Sequence, residues 1–301
     1  MNPHPKSVSV RVPGSTSNCG SGFDTLGLAL NIYNRITIRI GGKQPAPERP
    51  GDAPAQERVA GAARAFFEAT RAKPVGFTYR IEGEVPQARG LGSSATIIAG
   101  VLAGLDGLMA TDCSRNQLVA LATAEEGHPD NASAGVLGGF CVSRCDPATG
   151  AHRDTIRFAV PHGVAFAFAS PNLEMLTKES RGVLPASVPF LDAARSINSA
   201  AYLVAAFASC EFTKLRHVAG DFMHEPYRFP LIPGGREAIE AGVAEGAFTG
   251  WLSGSGSGVI CVCSGATGDA VGAAMRRAFL KAGIESEVSI LRADNQGLRL
   301  E

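Results

Sequence analysis

At 301 residues the chain has room for one large domain or two ordinary ones, and two is the better expectation. Its 28 basic and 28 acidic side chains cancel, which removes any bulk attraction to nucleic acid or an anionic membrane surface. The 45% apolar share suits an ordinary globular core, and no run of about 18 apolar residues is present to span a bilayer.

The opening Met1-Asn2-Pro3-His4-Pro5-Lys6 leads into no apolar stretch, so it does not read as a secretory signal, and the cytoplasm is the expected location. Residues 8–12 alternate, then meet Pro13 and a Gly/Ser/Thr-rich stretch, the pattern of a strand running into a loop. A second strand is predicted over 32–40 (IYNRITIRI). Residues 42–56, rich in Pro, Ala and charge, offer nothing to a core and are expected to be an exposed connection. A helix over 57–70 and a strand over 76–82 follow. Beyond a glycine-rich loop at 90–94, apolar residues recur at Ile98, Val101, Leu102, Leu105, Leu108 and Met109, the spacing of a helix with one buried face.

Another helix is predicted over 116–126, then an apolar segment over 138–142. The second half reads as strand (164–169), long helix (190–209), shorter helix (235–245), strands (250–253 and 259–263), helix (269–282) and strand (285–291). Strand and helix mix without a steady βαβ repeat, which points to an α+β fold in two lobes, with the break near 150–162. Seven cysteines form an odd set, and neither Cys141/Cys145 nor Cys261/Cys263 has a histidine close in sequence. A structural role rather than a metal is the expectation for both pairs, and Cys261 and Cys263, in an apolar run, are expected to be buried thiols.

The most informative local stretch is Pro86-Gln87-Ala88-Arg89-Gly90-Leu91-Gly92-Ser93-Ser94-Ala95. Its glycines allow close backbone approach, and its serines open a strongly periodic helix whose N–H groups and positive dipole end favour an anion such as a nucleotide's phosphates. Either serine hydroxyl is also suited to Mg²⁺. The stretch matches neither Gly-x4-Gly-Lys-Ser/Thr nor Gly-x-Gly-x-x-Gly. Read alone, it could equally be a turn followed by a serine-capped helix.

Pro86-x3-Gly90-Leu91-Gly92-Ser93-Ser94-Ala95 resembles the central motif of the GHMP kinases, the superfamily of galactokinase, homoserine kinase, mevalonate kinase and phosphomevalonate kinase. Other segments resemble the homoserine kinases in particular: Val12-Pro13-Gly14-Ser15-Thr16-Ser17-Asn18-Cys19-Gly20-Ser21-Gly22-Phe23-Asp24, Glu126-Gly127-His128-Pro129-Asp130-Asn131, Thr177-Lys178-Glu179-Ser180-Arg181 and His224-Glu225-Pro226-Tyr227-Arg228. Ser253-Gly254-Ser255-Gly256-Ser257-Gly258 is similar to the superfamily's C-terminal motif.

The resemblance implies a two-lobed α+β GHMP kinase fold. Residues 1–158 would form a ribosomal protein S5 domain 2-like lobe with the ATP groove, and residues 159–301 a ferredoxin-like lobe. It implies transfer of the γ-phosphate of ATP to the side-chain hydroxyl of L-homoserine, a step of threonine biosynthesis. Pro86, Arg89, Gly90, Leu91, Gly92, Ser93, Ser94, Ala95, Gly254 and Gly256 would bind the nucleotide, and Ser94 and Glu126 would hold Mg²⁺. Asn18, Asp24, His128, Asp130, Arg181 and Arg228 would bind the amino acid, its ammonium on the aspartates and its carboxylate on the arginines. Glu126, Asn131 and Thr177 would serve catalysis.

Asn131 stands where mevalonate-type relatives carry an aspartate base, so catalysis by orientation and electrostatics is expected. Prolines of the family pattern are replaced by Ser21 and Ser257, which should loosen two loops. Another small hydroxy amino acid such as L-threonine is the alternative acceptor, and a catalytically silent nucleotide-binding regulator the alternative class. A homodimer is compatible with the pattern, because periodicity alone does not separate an interface from core.

Overall fold

The structure, a computed structural model, describes residues 6–301. His4 and the segment that bears on a signal peptide lie outside the described residues. In the first sheet, β1 (Ser7–Ser17) runs antiparallel to β2 (Leu26–Ile40), with Val10 opposite Ile36. The Gly/Ser/Thr-rich stretch expected to be a loop instead continues β1 through Ser17, after a register shift between Pro13 and Ser15. Proline has no N–H for the ladder, and the chain resumes pairing beyond it. Ser15 also donates its N–H to the Leu91 carbonyl at 3.0 Å, which ties the end of β1 to the glycine-rich loop.

The segment 42–56 corrects the expectation of a plain exposed connection. It contains β3 (Ala46–Pro47), parallel to β4 (Phe77–Gly83), and a 3₁₀ turn, Pro50–Ala55, in which Asp52 and Ala55 are buried. Asp52 accepts from Arg49 at 3.2 Å, and the Tyr79 hydroxyl donates to the Asp52 carbonyl at 3.1 Å. The turn is held by hydrogen bonds and so leaves no apolar periodicity.

Helices α1 (Gln56–Thr70), α2 (Ser93–Met109), α3 (Arg115–Glu126) and α4 (Asp130–Leu137) share the core with this sheet. Ser114 starts α3 through a capping box with Gln117. Sequence periodicity found neither α4, only eight residues long, nor β6 (His152–Phe158), which is mostly exposed and pairs with β5 (Phe140–Cys145).

The second sheet has the order β10 (Ser286–Leu291), β7 (Val164–Pro171), β9 (Val259–Ser264), β8 (Thr249–Leu252), all antiparallel. Ala165, Ala167 and Ala169 face α8 (Gly235–Ala244) and α9 (Gly268–Lys281). Cys261 and Cys263 lie in that buried layer, and their thiols donate to the Ile239 and Ala165 carbonyls. The alternate residues Phe166 and Phe168 join Trp251, Leu28 and Phe140 in a core common to both sheets. Between β7 and α8 come α5 (Thr177–Gly182), α6 (Phe190–Ala208) and α7 (Glu225–Arg228).

The chain then returns: β11 (Arg299–Leu300) pairs with β1, so the carboxy-terminal residues cross the expected division between 1–158 and 159–301. Among the described residues no helix is long and apolar enough to cross a membrane.

Glu225 opens α7 fully inside the protein and accepts the Leu252 N–H at 2.7 Å. Burial, with Asp221 adding to it, pushes its pKa up to about 8. The folded state therefore holds a proton that the unfolded chain has already released above its ordinary carboxylate range. Stability should fall as pH rises from that range through about 8. Glu225→Gln should flatten that slope and stabilise the protein by several kcal/mol at the alkaline end. Thermal unfolding of both proteins across this window checks it, and parallel profiles would refute it.

Candidate active site

Two glycine-rich turns meet backbone to backbone. A methyl group added at Gly90 would lie 1.9 Å from the Ser253 carbonyl oxygen, and one at Gly256 2.1 Å from the Gly90 nitrogen. Ser253 Oγ donates to the Gly90 carbonyl at 2.7 Å and lies 2.9 Å from the Thr16 hydroxyl, and Gly254 N–H reaches the Ser17 carbonyl at 3.2 Å. Three segments from the start, middle and end of the chain thus close one site. Gly90→Ala should wedge the turns apart, because φ there is +86° as well. We expect a loss of nucleotide affinity of at least about tenfold, a strain of a few kcal/mol. Nucleotide titration measures it.

Gly92, with φ +65°, precedes α2, and neither serine caps the helix with its side chain. Ser94 Oγ instead donates to Glu126 Oε1 at the end of α3. Burial raises the Glu126 pKa, against the lowering effects of Ser94 and His128. A hydroxyl and a half-buried carboxylate side by side form an all-oxygen donor set of the kind that suits Mg²⁺.

A cavity of about 820 Å³ opens over these turns. Of the residues expected at the nucleotide, Pro86, Gly90, Leu91, Gly92, Ser93, Ser94, Gly254 and Gly256 line it, and Glu126, His128 and Asn131 join them. Ala95 is buried beneath the loop, and Arg89 lines a second cavity on the loop's other side. The sequence did not single out Arg49, Asp52 or Arg58 on the cavity's wall. They come from the segment read as a plain connection and from the first turn of α1.

Of the expected amino-acid contacts, His128 and Asp130 lie within electrostatic reach of Glu126. Arg181 grips Asp24 through two hydrogen bonds of 3.1 and 2.6 Å. Asn18 accepts the Asp24 N–H at 3.0 Å and donates to the Gly254 carbonyl at 3.1 Å. His128 Nδ1 lies 2.9 Å from Asp130, and ligand atoms of Asp24, His128 and Asp130 all fall within 4.8 Å of one another. Burial opposes protonation of His128, but Asp130, Glu126 and Asp24 outweigh it and raise its pKa. Asn131 is held from both sides, accepting from Ser15 at 2.8 Å and donating to Ser17 at 3.0 Å.

Arg228 is 1% exposed and reaches the Ser180 carbonyl at 3.1 Å and the Gly254 carbonyl at 3.3 Å. Its guanidinium and that of Arg181 both sit over the Phe23 ring, at 5.3 and 5.2 Å. Burial pulls the Arg228 pKa down to about 10, and Arg181 adds to the effect. His224, quoted within a motif but given no role, proves to be a support. Burial lowers its pKa, so the neutral ring donates from Nε2 to the Gly20 carbonyl at 2.7 Å and accepts at Nδ1 from Arg228 at 3.2 Å.

Thr177 is the first residue of α5, and its side chain lies outside the described residues. Ser257, expected to loosen its turn, is buried and ties it to the Leu173 carbonyl through its hydroxyl. A hydrogen bond stands in for the proline ring.

Residues 57–139 match the GHMP kinases N terminal domain and residues 204–281 the GHMP kinases C terminal domain. A homoserine kinase of Moorella thermoacetica is 39% identical over 293 residues, covering 96% of this chain and 98% of that one. One of Carboxydothermus hydrogenoformans is 35% identical over 96% of this chain and 95% of its own. The crystal structure of homoserine kinase from Cytophaga hutchinsonii superposes with a TM-score of 0.88 at 24% identity, over 100% of this chain and 99% of that one, which shows the same fold.

Proposed function

We infer that this chain, which belongs to the GHMP kinases and within them to the homoserine kinases, phosphorylates the side-chain hydroxyl of L-homoserine with ATP. The product is O-phospho-L-homoserine, and the step serves threonine biosynthesis. Beyond the full-length likeness, the observation that carries this reading is the Asp24–Arg181 pair beside the buried Arg228. An α-amino acid brings one ammonium and one carboxylate. It can part this pair and satisfy both halves, its ammonium going to Asp24 and Asp130 and its carboxylate to Arg181 and Arg228. A neutral sugar offers neither charge.

The glycine turns and the start of α2 receive the triphosphate, and Asn18 and His128 orient the acceptor. Ser94 and Glu126 would hold Mg²⁺, which supplies charge neutralisation between the phosphates. Asn131 cannot take the hydroxyl proton at neutral pH, and the carboxylates around His128 outweigh its burial and favour the protonated ring. Catalysis therefore rests on alignment and electrostatics, with the proton leaving on the transferred phosphoryl group. Thr177 is proposed to place the γ-phosphate. The cytoplasm is the proposed location. A homodimer is proposed through Phe190, Leu191 and Ile197, which α6 leaves exposed, and a monomer mass by light scattering would overturn it.

The deciding experiment is ADP release with Mg·ATP and L-homoserine, L-threonine, L-serine or mevalonate. L-homoserine should give the highest kcat/KM. Turnover with none of them would overturn the reading, and preference for L-threonine would move the acceptor.

A further inference from the structure

The triphosphate of ATP is strongly anionic, yet the turn Gly90-Leu91-Gly92-Ser93-Ser94 has no lysine to meet it. Besides His128, whose protonated form its neighbouring carboxylates favour, the charged side chains lining the cavity are Arg49, Asp52, Arg58, Glu126 and Lys178. Arg49 is committed to Asp52 and to the Ile81 carbonyl. Arg58 and Lys178 are both exposed, and neither makes a hydrogen bond or ion pair among the described residues.

Arg58 lies in the first turn of α1 and Lys178 is the second residue of α5. Both line the same cavity as the two glycine turns. The charge of Arg58 reaches Glu126, where it opposes the effect of burial on that carboxyl.

We propose that Arg58 and Lys178 are positioning residues that grip the polyphosphate of ATP from opposite walls, replacing the lysine the loop lacks. The proposal rests on the nucleotide reading of this cavity and not on which acceptor is used. With both cations engaged, the ADP leaving group is stabilised as charge develops on it.

The test is calorimetric titration of wild type, Arg58→Ala, Lys178→Ala, Arg58→Lys and Lys178→Arg with Mg·ATP, Mg·ADP and adenosine, without acceptor. Each alanine variant should bind ATP about tenfold more weakly, as expected for losing a hydrogen bond to a charged group, and ADP less so. Adenosine binding should stay within about twofold, and the charge-keeping variants should retain ATP affinity within about threefold. A residue whose alanine variant binds ATP like wild type is not a phosphate contact. Parallel loss of adenosine and ATP would mean a collapsed wall and would also overturn the proposal. A wrong acceptor would alter turnover assays but leave these titrations untouched.

Discussion

Glu126→Gln should lower turnover by about 10²–10³-fold while leaving the fold in place, the scale on which loss of one charge-stabilising group acts. The amide keeps the shape and still accepts the Ser94 hydroxyl, but it removes the carboxylate that would share Mg²⁺ with Ser94. Burial already disfavours the charged form of Glu126, so the substitution relieves an ionisation cost and should not lower the melting temperature. The same raised pKa sets a pH limit. Activity should fall on the acid side earlier than an ordinary carboxylate would dictate, because protonation empties the metal-binding charge. Initial rates across an Mg²⁺ titration at several pH values test both statements. Wild-type rates at limiting Mg²⁺ in the Gln variant would remove Glu126 from the metal site.

Arg228→Ala is expected to strike both binding and stability. The guanidinium is almost wholly enclosed, and its loss leaves the Ser180 and Gly254 carbonyls and His224 Nδ1 without their donor. Breaking a buried charged network from one side costs about 3–5 kcal/mol. Gly254 belongs to the turn pressed against Gly90, so the damage should reach the nucleotide turn as well as the amino-acid carboxylate. KM for L-homoserine should rise by at least about 30-fold and the melting temperature should fall, with Arg228→Lys restoring little because a single ammonium cannot serve divergent partners. Arg181→Ala provides the contrast. That side chain is only half-buried, and its removal should raise KM without a comparable loss of stability. An Arg228→Ala protein with wild-type KM and melting temperature would show that the pocket lies elsewhere.

Much of the site could be read directly from the chain. The glycine turns at 90–94 and 253–258 stand out because close backbone contact excludes any side chain there, a requirement that is local and residue-specific. Helix α2 was equally plain, since its buried face repeats every three to four residues. Residue type and motif mark Asp24, Arg181 and Arg228 as partners of a zwitterion, but nothing in their spacing shows that Arg181 closes onto Asp24, 157 positions away. His224 and Ser253 support the site through hydrogen bonds to backbone carbonyls, which impose no periodicity on a sequence.

The sequence by itself determined the chemistry class and the two-lobed α+β plan. The plan follows from apolar periods of two and 3.6 residues, and the chemistry class from motifs, the glycine-rich turns among them, that resemble those of the GHMP kinases. Only the tertiary structure decided that Arg49, Asp52 and Ala55 wall the cavity over the glycine turns, that β11 returns to the first sheet, and that Arg58 and Lys178 line that one cavity. Each depends on hydrogen bonds or charges brought together across a long stretch of chain. Such contacts are specified by the packed whole, and no local pattern encodes them.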